Sequence, residues 1–291
     1  MRSIYYKNNS YIRGDYLIEL NNFYIGESVN FMRKYIPDGF VDLTVTSPPY
    51  DDLRNYKGFI FDYQNMLQEL YRVIKPGGIV VWVVGDATIK GSETGTSFKH
   101  VLCAKEIGFN LHDTMIYEKV NPLPLQHNRY QPCFEFMFVL SKNKPKTFNP
   151  ILEKTNQHDR GGGKRLADGN IVGFNSPRGK KTKYKRNVWR YSVGPGGTTH
   201  DKIGFKHPAI FPDKLAEDHI ISWSNENDIV LDPMCGAGTT CKMAWLNKRS
   251  FIGIDMSEEY INEICIPRLK NYGWEPQKDL LYKNNNCNIN I

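Results

Sequence analysis

The sequence lacks any apolar run long enough to cross a lipid bilayer. Its longest strongly apolar stretch covers residues 79–84, whereas a transmembrane helix needs about 20 residues. Residues 1–9 also lack the apolar core of a secretory signal. The six cysteines include no Cys-x-x-Cys pair, which argues against a zinc site and a disulfide framework. We therefore expect a soluble, cytoplasmic protein without a metal site.

The composition argues against disorder along most of the chain. Hydrophobic residues make up 40% and charged residues 24% of the sequence, which is close to the average for globular proteins. A length of 291 residues allows one large domain or two ordinary ones. The chain is therefore long enough to bury a sizeable core.

Positive charge is concentrated in one part of the chain. Residues 141–190 contain 14 Lys and Arg against three acidic residues, a net charge of +11, so the rest of the chain sums to −4 within a total of +7. A basic segment in an otherwise slightly acidic protein is typical of a module that binds a polyanion. A solvated loop would show the same charge, so charge alone leaves both interpretations open.

From Phe23 onward, short apolar runs that predict strands alternate with stretches of helical spacing. Strands are predicted at residues 23–26, 41–46, 79–84, 111–117, 133–140, 228–231 and 251–254. Helices are predicted at residues 28–35 (with Ser28 as the cap), 61–74, 98–107, 212–223, 239–246 and 258–269 (which Pro267 should interrupt). This alternation predicts an α/β fold with a mostly parallel sheet and helices on both faces.

Three stretches of the chain show no such pattern. Residues 1–22 are expected to form an N-terminal extension, residues 141–205 an irregular insertion, and residues 271–291 a C-terminal tail. They leave two patterned halves, residues 23–140 and 206–270.

The first motif with chemical content is a glycine-containing turn between a predicted strand and a helix, residues 231–240. Gly236 and Gly238 allow a sharp turn and a close approach to a ligand, and Asp255 ends the next strand, where a carboxylate suits ribose hydroxyls. Asp232 would repel a pyrophosphate but attract a cation such as a sulfonium. The motif therefore favours S-adenosylmethionine over a dinucleotide, although an ordinary tight turn has the same glycines.

The second motif is Thr46-Ser47-Pro48-Pro49-Tyr50, at the carboxyl end of a predicted strand, where open α/β sheets place their ligands. Two prolines fix the backbone, so a carbonyl group can be held in one direction. The Ser47 hydroxyl can hydrogen-bond an amine, and the ring of Tyr50 can stack on a planar base. The alternative is that this pentapeptide is only a rigid turn with an aromatic side chain and has no role in catalysis.

Together the two motifs resemble those of the DNA amino-methyltransferases of restriction-modification systems. In that family a Ser/Asp/Asn-Pro-Pro-Tyr/Phe tetrapeptide holds the target amine, and an Asp-Pro-Phe-x-Gly-x-Gly-Thr loop binds the cofactor. The chain has the tetrapeptide first, the loop last and the basic segment between them, an order that resembles the β group of the family. The resemblance spans residues 23–269 apart from the insertion, which it implies is the target-recognition region.

The resemblance implies a circularly permuted, Rossmann-like methyltransferase sheet with residues 23–140 as its catalytic half and residues 206–270 as its cofactor-binding half. The implied catalytic residues are Ser47, Pro48, Pro49 and Tyr50. The implied ligands of S-adenosyl-L-methionine are Asp232, Pro233, Gly236, Gly238, Thr239, Asp255, Glu27 and His207. The basic residues expected to contact DNA are Lys180, Lys181, Lys183, Lys185 and Arg186, with Arg178, Asn187 and Arg190 as candidates for reading bases.

The implied reaction is direct transfer of a methyl group to the exocyclic N4 of a cytosine flipped out of double-stranded DNA. In the family, Ser-Pro-Pro-Tyr is associated mainly with cytosine N4 and Asp-Pro-Pro-Tyr with adenine N6, which stays the alternative. An RNA or protein amide methyltransferase and a DNA-binding protein on an inactive methyltransferase fold are less favoured. Carbon-5 chemistry is disfavoured because Cys133 opens a strand-like run. A cognate restriction endonuclease is a possible partner, and the protein is expected to be a monomer or a homodimer.

Overall fold

The structure is a computed structural model that describes residues 6–7, 10–13, 16–49, 61–122, 124, 128–154, 162–174 and 182–276. Its centre is an eight-stranded sheet. Within the described residues, no helix is long and apolar enough to span a membrane.

The strands are numbered along the chain. They are β1 (Tyr6–Lys7), β2 (Ser10–Arg13), β3 (Tyr16–Glu19), β4 (Asn22–Ile25), β5 (Val41–Thr46), β6 (Ile74–Val84), β7 (Thr88–Ile89), β8 (Ser92–Glu93), β9 (Asn110–Lys119), β10 (Phe134–Ser141), β11 (Leu152–Lys154), β12 (Gly162–Arg165), β13 (Ile171–Phe174), β14 (Thr182–Tyr184), β15 (Val188–Tyr191), β16 (Ile229–Asp232) and β17 (Ser250–Asp255). The central sheet has the order β15-β9-β10-β6-β5-β16-β17-β4. Only β10 runs antiparallel to its neighbours in this sheet.

The helices cover both faces of this sheet, as the sequence predicted. They are α1 (Ser28–Tyr35), α2 (Tyr63–Val73), α3 (Thr96–Ile107), α4 (Asp213–Trp223), α5 (Thr239–Leu246), α6 (Glu258–Tyr260) and α7 (Ile266–Lys270), with a π turn at Ile261–Cys265 between the last two. Helices α1, α2 and α3 contribute to one apolar core. Helices α4 and α5 and the final helical segment contribute to the other.

The order of the strands confirms the circular permutation. Strand β5, from the first half of the chain, lies directly beside β16, from the second half, and the two run parallel. Parallel neighbours end at the same edge of a sheet, so the Ser47-Pro48-Pro49 segment and the loop after Asp232 meet there.

The two ends of the chain join the body more closely than the sequence predicted. Ile18 and Leu20 lie in the core, although residues 1–22 were expected to be a loosely attached extension. Trp274, assigned to the tail, is 1% exposed and donates a hydrogen bond to the carbonyl of Asn21. Its ring packs against Phe23 and Phe251. Apolar burial therefore fixes the described residues around Ile18 and Trp274, which a search for periodicity in short stretches does not detect.

The predicted insertion is also not wholly irregular. Strand β15 pairs in parallel with β9 and forms one edge of the central sheet. Two small antiparallel pairs precede it, β11 with β14 and β12 with β13. Residues 188–191 therefore belong to the sheet rather than to the insertion. Only two of these four residues, Trp189 and Tyr191, are buried, so the apolar signal was weak.

The structure gives the details of three local predictions, of which only the cap of the first helix was wrong. The carboxylate of Glu27, not Ser28, caps α1 by accepting from the amides of Val29 and Asn30. Residues 75–78 form an irregular stretch at the start of β6: the register with β5 jumps across it from Ile74 to Ile79, and Gly77 has a φ of 86°, so the chain turns there before the regular part of the strand. The last helix is interrupted next to Pro267, as predicted: a π turn at Ile261–Cys265 separates α6 from α7, and Pro267 falls in the first turn of α7.

Candidate active site

An open cleft of about 1320 Å³ lies where the carboxyl ends of β5, β16 and β17 meet. Nine of the predicted site residues line it, from both halves of the chain: Ser47, Pro48, Pro49, Glu27, His207, Pro233, Gly236, Thr239 and Asp255. Asp232 and Gly238 are not among its lining residues, and Tyr50 lies outside the described residues. The two sequence motifs therefore share one site.

The turn after β16 requires glycine at both predicted positions. Gly236 and Gly238 have φ angles of 48° and 72°, in the left-handed region that other residues rarely adopt. A Cβ atom on Gly236 would lie 2.8 Å from Nε2 of His207. The imidazole of His207 also packs edge-on against Tyr260, with ring centroids 4.4 Å apart. Because Gly236 has no side chain, the backbone of the loop can lie close to the imidazole of His207, in the segment before α4.

Asp255 is held at the end of β17 by two backbone amides. Its Oδ2 accepts from the amide of Gly236 at 2.8 Å and its Oδ1 from that of Ser257 at 2.9 Å. Burial raises the pKa of Asp255 above its usual value, although these hydrogen bonds oppose the shift. A carboxylate oxygen has two lone pairs, so each oxygen can still accept a ligand hydroxyl at the cleft.

Asp232 lies beneath the loop rather than in the cleft. It is 2% exposed, and its Oδ1 accepts from the hydroxyl of Thr46 at 2.8 Å and from the amide of Met234 at 3.2 Å. Burial raises its pKa to about 7. Asp232 therefore joins the loop to β5, and its predicted attraction for a cationic ligand stays a prediction.

Replacing Asp232 with asparagine should remove a pH dependence of stability. The folded pKa of about 7 lies above the unfolded value of about 3.9, so the contribution of Asp232 is fully present below pH 4 and is lost as the pH rises through 7. The free energy of unfolding of Asp232→Asn relative to wild type should rise by up to about 1.4 kcal/mol per pH unit in this window. Urea titrations at pH 5, 6, 7 and 8 measure it, and a constant difference would contradict the shift.

Two further hydrogen bonds join the cofactor-side loop to its neighbours. The hydroxyl of Thr240 donates to the carbonyl of Val45 at 2.9 Å, and the hydroxyl of Ser28 donates to the carbonyl of Pro233. With the bond between Thr46 and Asp232, they connect residues that are 186 to 205 positions apart in sequence. The tetrapeptide and the loop are thus held in one relative position.

A buried group of charges that the sequence did not reveal supports the same loop. Arg268, which is fully buried, donates to the carbonyl of Ala237 at 2.8 Å and the hydroxyl of Thr239 at 2.9 Å. It also pairs with the carboxylates of Asp201 and Asp213.

Lys242, 2% exposed, pairs with the same two carboxylates, so the group of four balances two positive against two negative charges. Burial alone would raise the pKa of Asp201, but hydrogen bonds from Lys242, Tyr272 and Arg268 hold it well below its usual value. The four residues are far apart in sequence and match no motif, so only the fold brings them together.

The basic residues predicted to contact DNA do not share one environment. Lys183 and Arg186 are exposed, whereas the ammonium group of Lys185 pairs with the buried carboxylate of Asp218 at 3.0 Å and lies over the ring of Trp189. Lys180 and Lys181 lie outside the described residues. Unlike Lys183 and Arg186, Lys185 therefore already has a partner within the protein, the carboxylate of Asp218.

Two of the three candidates for reading bases already contact acidic side chains of the protein. Arg190 pairs with Glu118 and Asn187 contacts Asp113, on neighbouring β9. Arg178 lies outside the described residues.

Comparison with known proteins places the chain among DNA-modifying enzymes. A family model described as "DNA methylase" matches residues 41–265. The orphan methyltransferase M.BamHII of Bacillus amyloliquefaciens is 55% identical over 247 residues, which cover 83% of this chain and 93% of that protein.

Two solved structures share the fold. The cytosine-N4-specific PvuII DNA methyltransferase has a TM-score of 0.61 and 20% identity, covering 88% of this chain and 92% of its own. A complex of M1.HpyAVI with SAM has a TM-score of 0.56 and 22% identity, covering 85% of this chain and 98% of its own. At this identity the likeness concerns the fold alone.

Proposed function

The chain belongs to the DNA methylase family, and we propose that it transfers a methyl group from S-adenosyl-L-methionine to the exocyclic N4 of cytosine in double-stranded DNA. The observation that carries this proposal is the meeting of Ser47-Pro48-Pro49 and the loop 233–239 in one cleft. The tetrapeptide supplies hydrogen-bond acceptors for an amine, and the loop supplies a site for the methyl donor.

The residues of the cofactor side suit a donor that carries positive charge. Glu27, Asp255, Glu258 and Glu259 line that part of the cleft, and no lysine or arginine lines it among the described residues. The close contact of Gly236 with His207 keeps the loop backbone at the cleft surface. When bound, S-adenosylmethionine supplies an electrophilic methyl group on its sulfonium. Asp255 would accept from ribose hydroxyls, and the other acidic residues favour the cation.

Ser47 and Pro48 would hold the target amine at its reacting atom. The hydroxyl oxygen of Ser47 and the carbonyl oxygen of Pro48 can each accept a hydrogen bond from the two amine hydrogens. Bonds in these directions favour a tetrahedral nitrogen, which localises the lone pair that is otherwise delocalised into the ring. Catalysis then consists of positioning and electrostatic stabilisation without a covalent intermediate on the protein. Pro49 keeps the backbone rigid, and Tyr50 is proposed to stack on the extruded base.

The choice of cytosine over adenine rests on Ser47 as the first residue of the tetrapeptide. Digestion of DNA from cells that express the protein, followed by mass spectrometry of the nucleosides, tests it. N4-methylcytosine is expected. N6-methyladenine would contradict the choice of base but not the fold or the cofactor, and methylated RNA or protein with unmodified DNA would contradict the substrate. Binding of labelled S-adenosylmethionine separates an active enzyme from a DNA-binding protein on the same fold.

The exposed basic residues before β15 are proposed to contact DNA phosphates. Replacing Lys183 and Arg186 together with alanine should flatten the slope of log affinity against log salt by roughly 2, because each phosphate contact contributes about 0.9. Specific and random duplexes should weaken alike. Duplex affinities at several salt concentrations provide the measurement.

Lys185→Ala is the matched control for this experiment. Because Lys185 pairs with Asp218 under the edge of the sheet, its loss should lower stability to urea and leave the salt slope unchanged. An unchanged slope in the Lys183 and Arg186 double variant would show that this segment does not contact phosphates.

A cognate restriction endonuclease is not required by the proposal. The relative M.BamHII is named an orphan methyltransferase. Resistance of DNA from expressing cells to a nuclease that cuts the same site would show that the methylation can protect against such a partner.

A further inference from the structure

A small hairpin stands at the edge of the sheet that carries the cleft, on the side of the tetrapeptide. Strands β5 and β6 run parallel, so the chain leaves β6 at the same edge at which Ser47 follows β5. There it forms the β7–β8 hairpin, in which Ile89 pairs with Ser92. Lys90 and Gly91 make the two-residue turn, with φ angles of 48° and 82° as in a type I′ turn. Neither sequence motif accounts for this hairpin.

A second connection at the same edge holds the hairpin in place. Strand β10 runs antiparallel to both β6 and β9, so the connection from β9 to β10 starts and ends at this edge. Pro122 and Pro132 of this connection line the cleft. Arg129, between them, donates to the carbonyl of Gly91 at 2.6 Å and lies 3.5 Å from the carboxylate of Glu93. Since a lone two-stranded hairpin is only marginally stable in water, these contacts fix the hairpin at the rim of the cleft.

The rim presents apolar side chains to solvent where the DNA substrate must approach the cleft. Ile89, next to the tip of the hairpin, is 53% exposed, and Tyr130, beside Arg129, is fully exposed. Single exposed apolar residues are common on protein surfaces, but these two stand on segments that Arg129 joins. Lys90, also exposed, adds a positive charge at the tip. A rigid projection with apolar side chains and a basic tip suits a duplex whose base stack is open.

We propose that the β7–β8 hairpin inserts the side chain of Ile89 into the duplex, at the position that the extruded target base leaves empty. The inference rests on the proposed function, because only an enzyme that takes its target base out of the stack creates such a gap. Apolar side chains such as isoleucine stabilise unstacked base steps when they enter between the bases. Isoleucine is branched at Cβ and has few rotamers, so on a fixed hairpin Ile89 loses little freedom when it inserts.

The size and place of the hairpin fit this role. A two-stranded ribbon fits into the major groove of B-DNA, which is about 12 Å wide, and a two-residue turn gives the ribbon its narrowest tip. A base held at Ser47 has left the duplex directly above the cleft, so the gap in the stack faces the rim. The hairpin stands at that rim, on the opposite side of β5 from the cofactor loop.

The test compares a duplex in which the target base is paired with the same duplex in which it is mispaired, because a mispaired base costs least to extrude. Sequencing of methylated DNA from expressing cells identifies the site to use. In Ile89→Ala, kcat/KM on the paired duplex should fall by about 10- to 100-fold, the equivalent of failing to bury one isoleucine side chain. On the mispaired duplex this variant should regain most of the lost rate. A variant with merely damaged packing would lose the same factor on both.

Three control variants complete the experiment. Ile89→Leu keeps an apolar side chain of the same volume and should keep the wild-type rates. Leu246→Ala removes a leucine that is 44% exposed at the end of α5, at the opposite edge of the sheet, and should leave both rates unchanged. Arg129→Ala frees the hairpin from the neighbouring connection and should show the pattern of Ile89→Ala with a smaller loss. Ile89→Ala itself should keep the wild-type affinity for S-adenosylmethionine and the wild-type salt slope, because it removes no charge.

The inference is overturned if Ile89→Ala methylates the paired duplex at the wild-type rate, or if it loses the same factor on both duplexes. It is also overturned if this substitution converts a dimer to a monomer in sedimentation, because the hairpin would then join two copies of the chain. Failure of the proposed choice of base appears separately, as N6-methyladenine made by the wild-type protein, and the same comparison then uses a duplex with adenine as the target.

Discussion

Ser47→Ala should lower kcat for methyl transfer by about 10²–10³-fold, the loss seen when one hydrogen-bonding group that acts in the transition state is removed. Ser47 lines the cleft next to two prolines, which fix the backbone and have no hydrogen-bonding side chain that could replace the Ser47 hydroxyl. The bond matters most when the amine becomes tetrahedral, so kcat should fall more than substrate affinity. Single-turnover methylation of saturating duplex measures this effect.

The controls for Ser47→Ala separate chemistry from folding. Affinity for S-adenosylmethionine should stay at the wild-type value. Ser47→Asp, which restores an acceptor found at this position in the family, should recover part of the activity. Ser92→Ala, at an exposed position on β8, should have no effect. Turnover of Ser47→Ala near the wild-type rate would remove Ser47 from the reaction.

Local patterns were enough to predict most of the central sheet and its helices. The bounds of α1, β5 and α5 agree with the sequence prediction, because each has a clear apolar period and a proline or glycine at its end. The two glycines of the cofactor loop were predicted for the same reason, since a turn with positive φ allows few other residues.

The errors occurred where long-range burial decides the structure. Trp274 is an isolated apolar residue in a polar stretch and Ile18 lies in a short apolar run without helical or strand periodicity, and distant segments bury both. Asp232 stands in a recognisable motif, but the sequence does not tell that Thr46 bonds its carboxylate and excludes it from the cleft. Lys185 and Lys183 are indistinguishable in sequence, yet only the former has a buried partner in Asp218. A charge pattern predicts where positive residues concentrate but not which of them are already paired.

The buried charges behind the cofactor loop extend this argument to residues that no motif includes. Arg268 and Lys242 face Asp201 and Asp213, and the loop accepts two hydrogen bonds from Arg268. Asp201 and Asp213 flank the segment that carries His207. The group therefore connects the segment 201–213 to the loop 233–239.

Arg268→Ala should lower the free energy of unfolding by about 3–5 kcal/mol, the cost of removing one partner from a buried ion pair. It leaves two partly buried carboxylates with Lys242 as their charged partner and leaves the carbonyl of Ala237 without the bond from Arg268. Arg268→Lys keeps the charge but cannot reach both carboxylates and the loop together, so it should cost less stability and still weaken binding of S-adenosylmethionine. Urea unfolding and calorimetric titration measure the two effects. Lys248→Ala, which breaks an exposed pair with Glu226, should change neither, and an Arg268→Ala variant as stable as wild type would show that these charges do not support the loop.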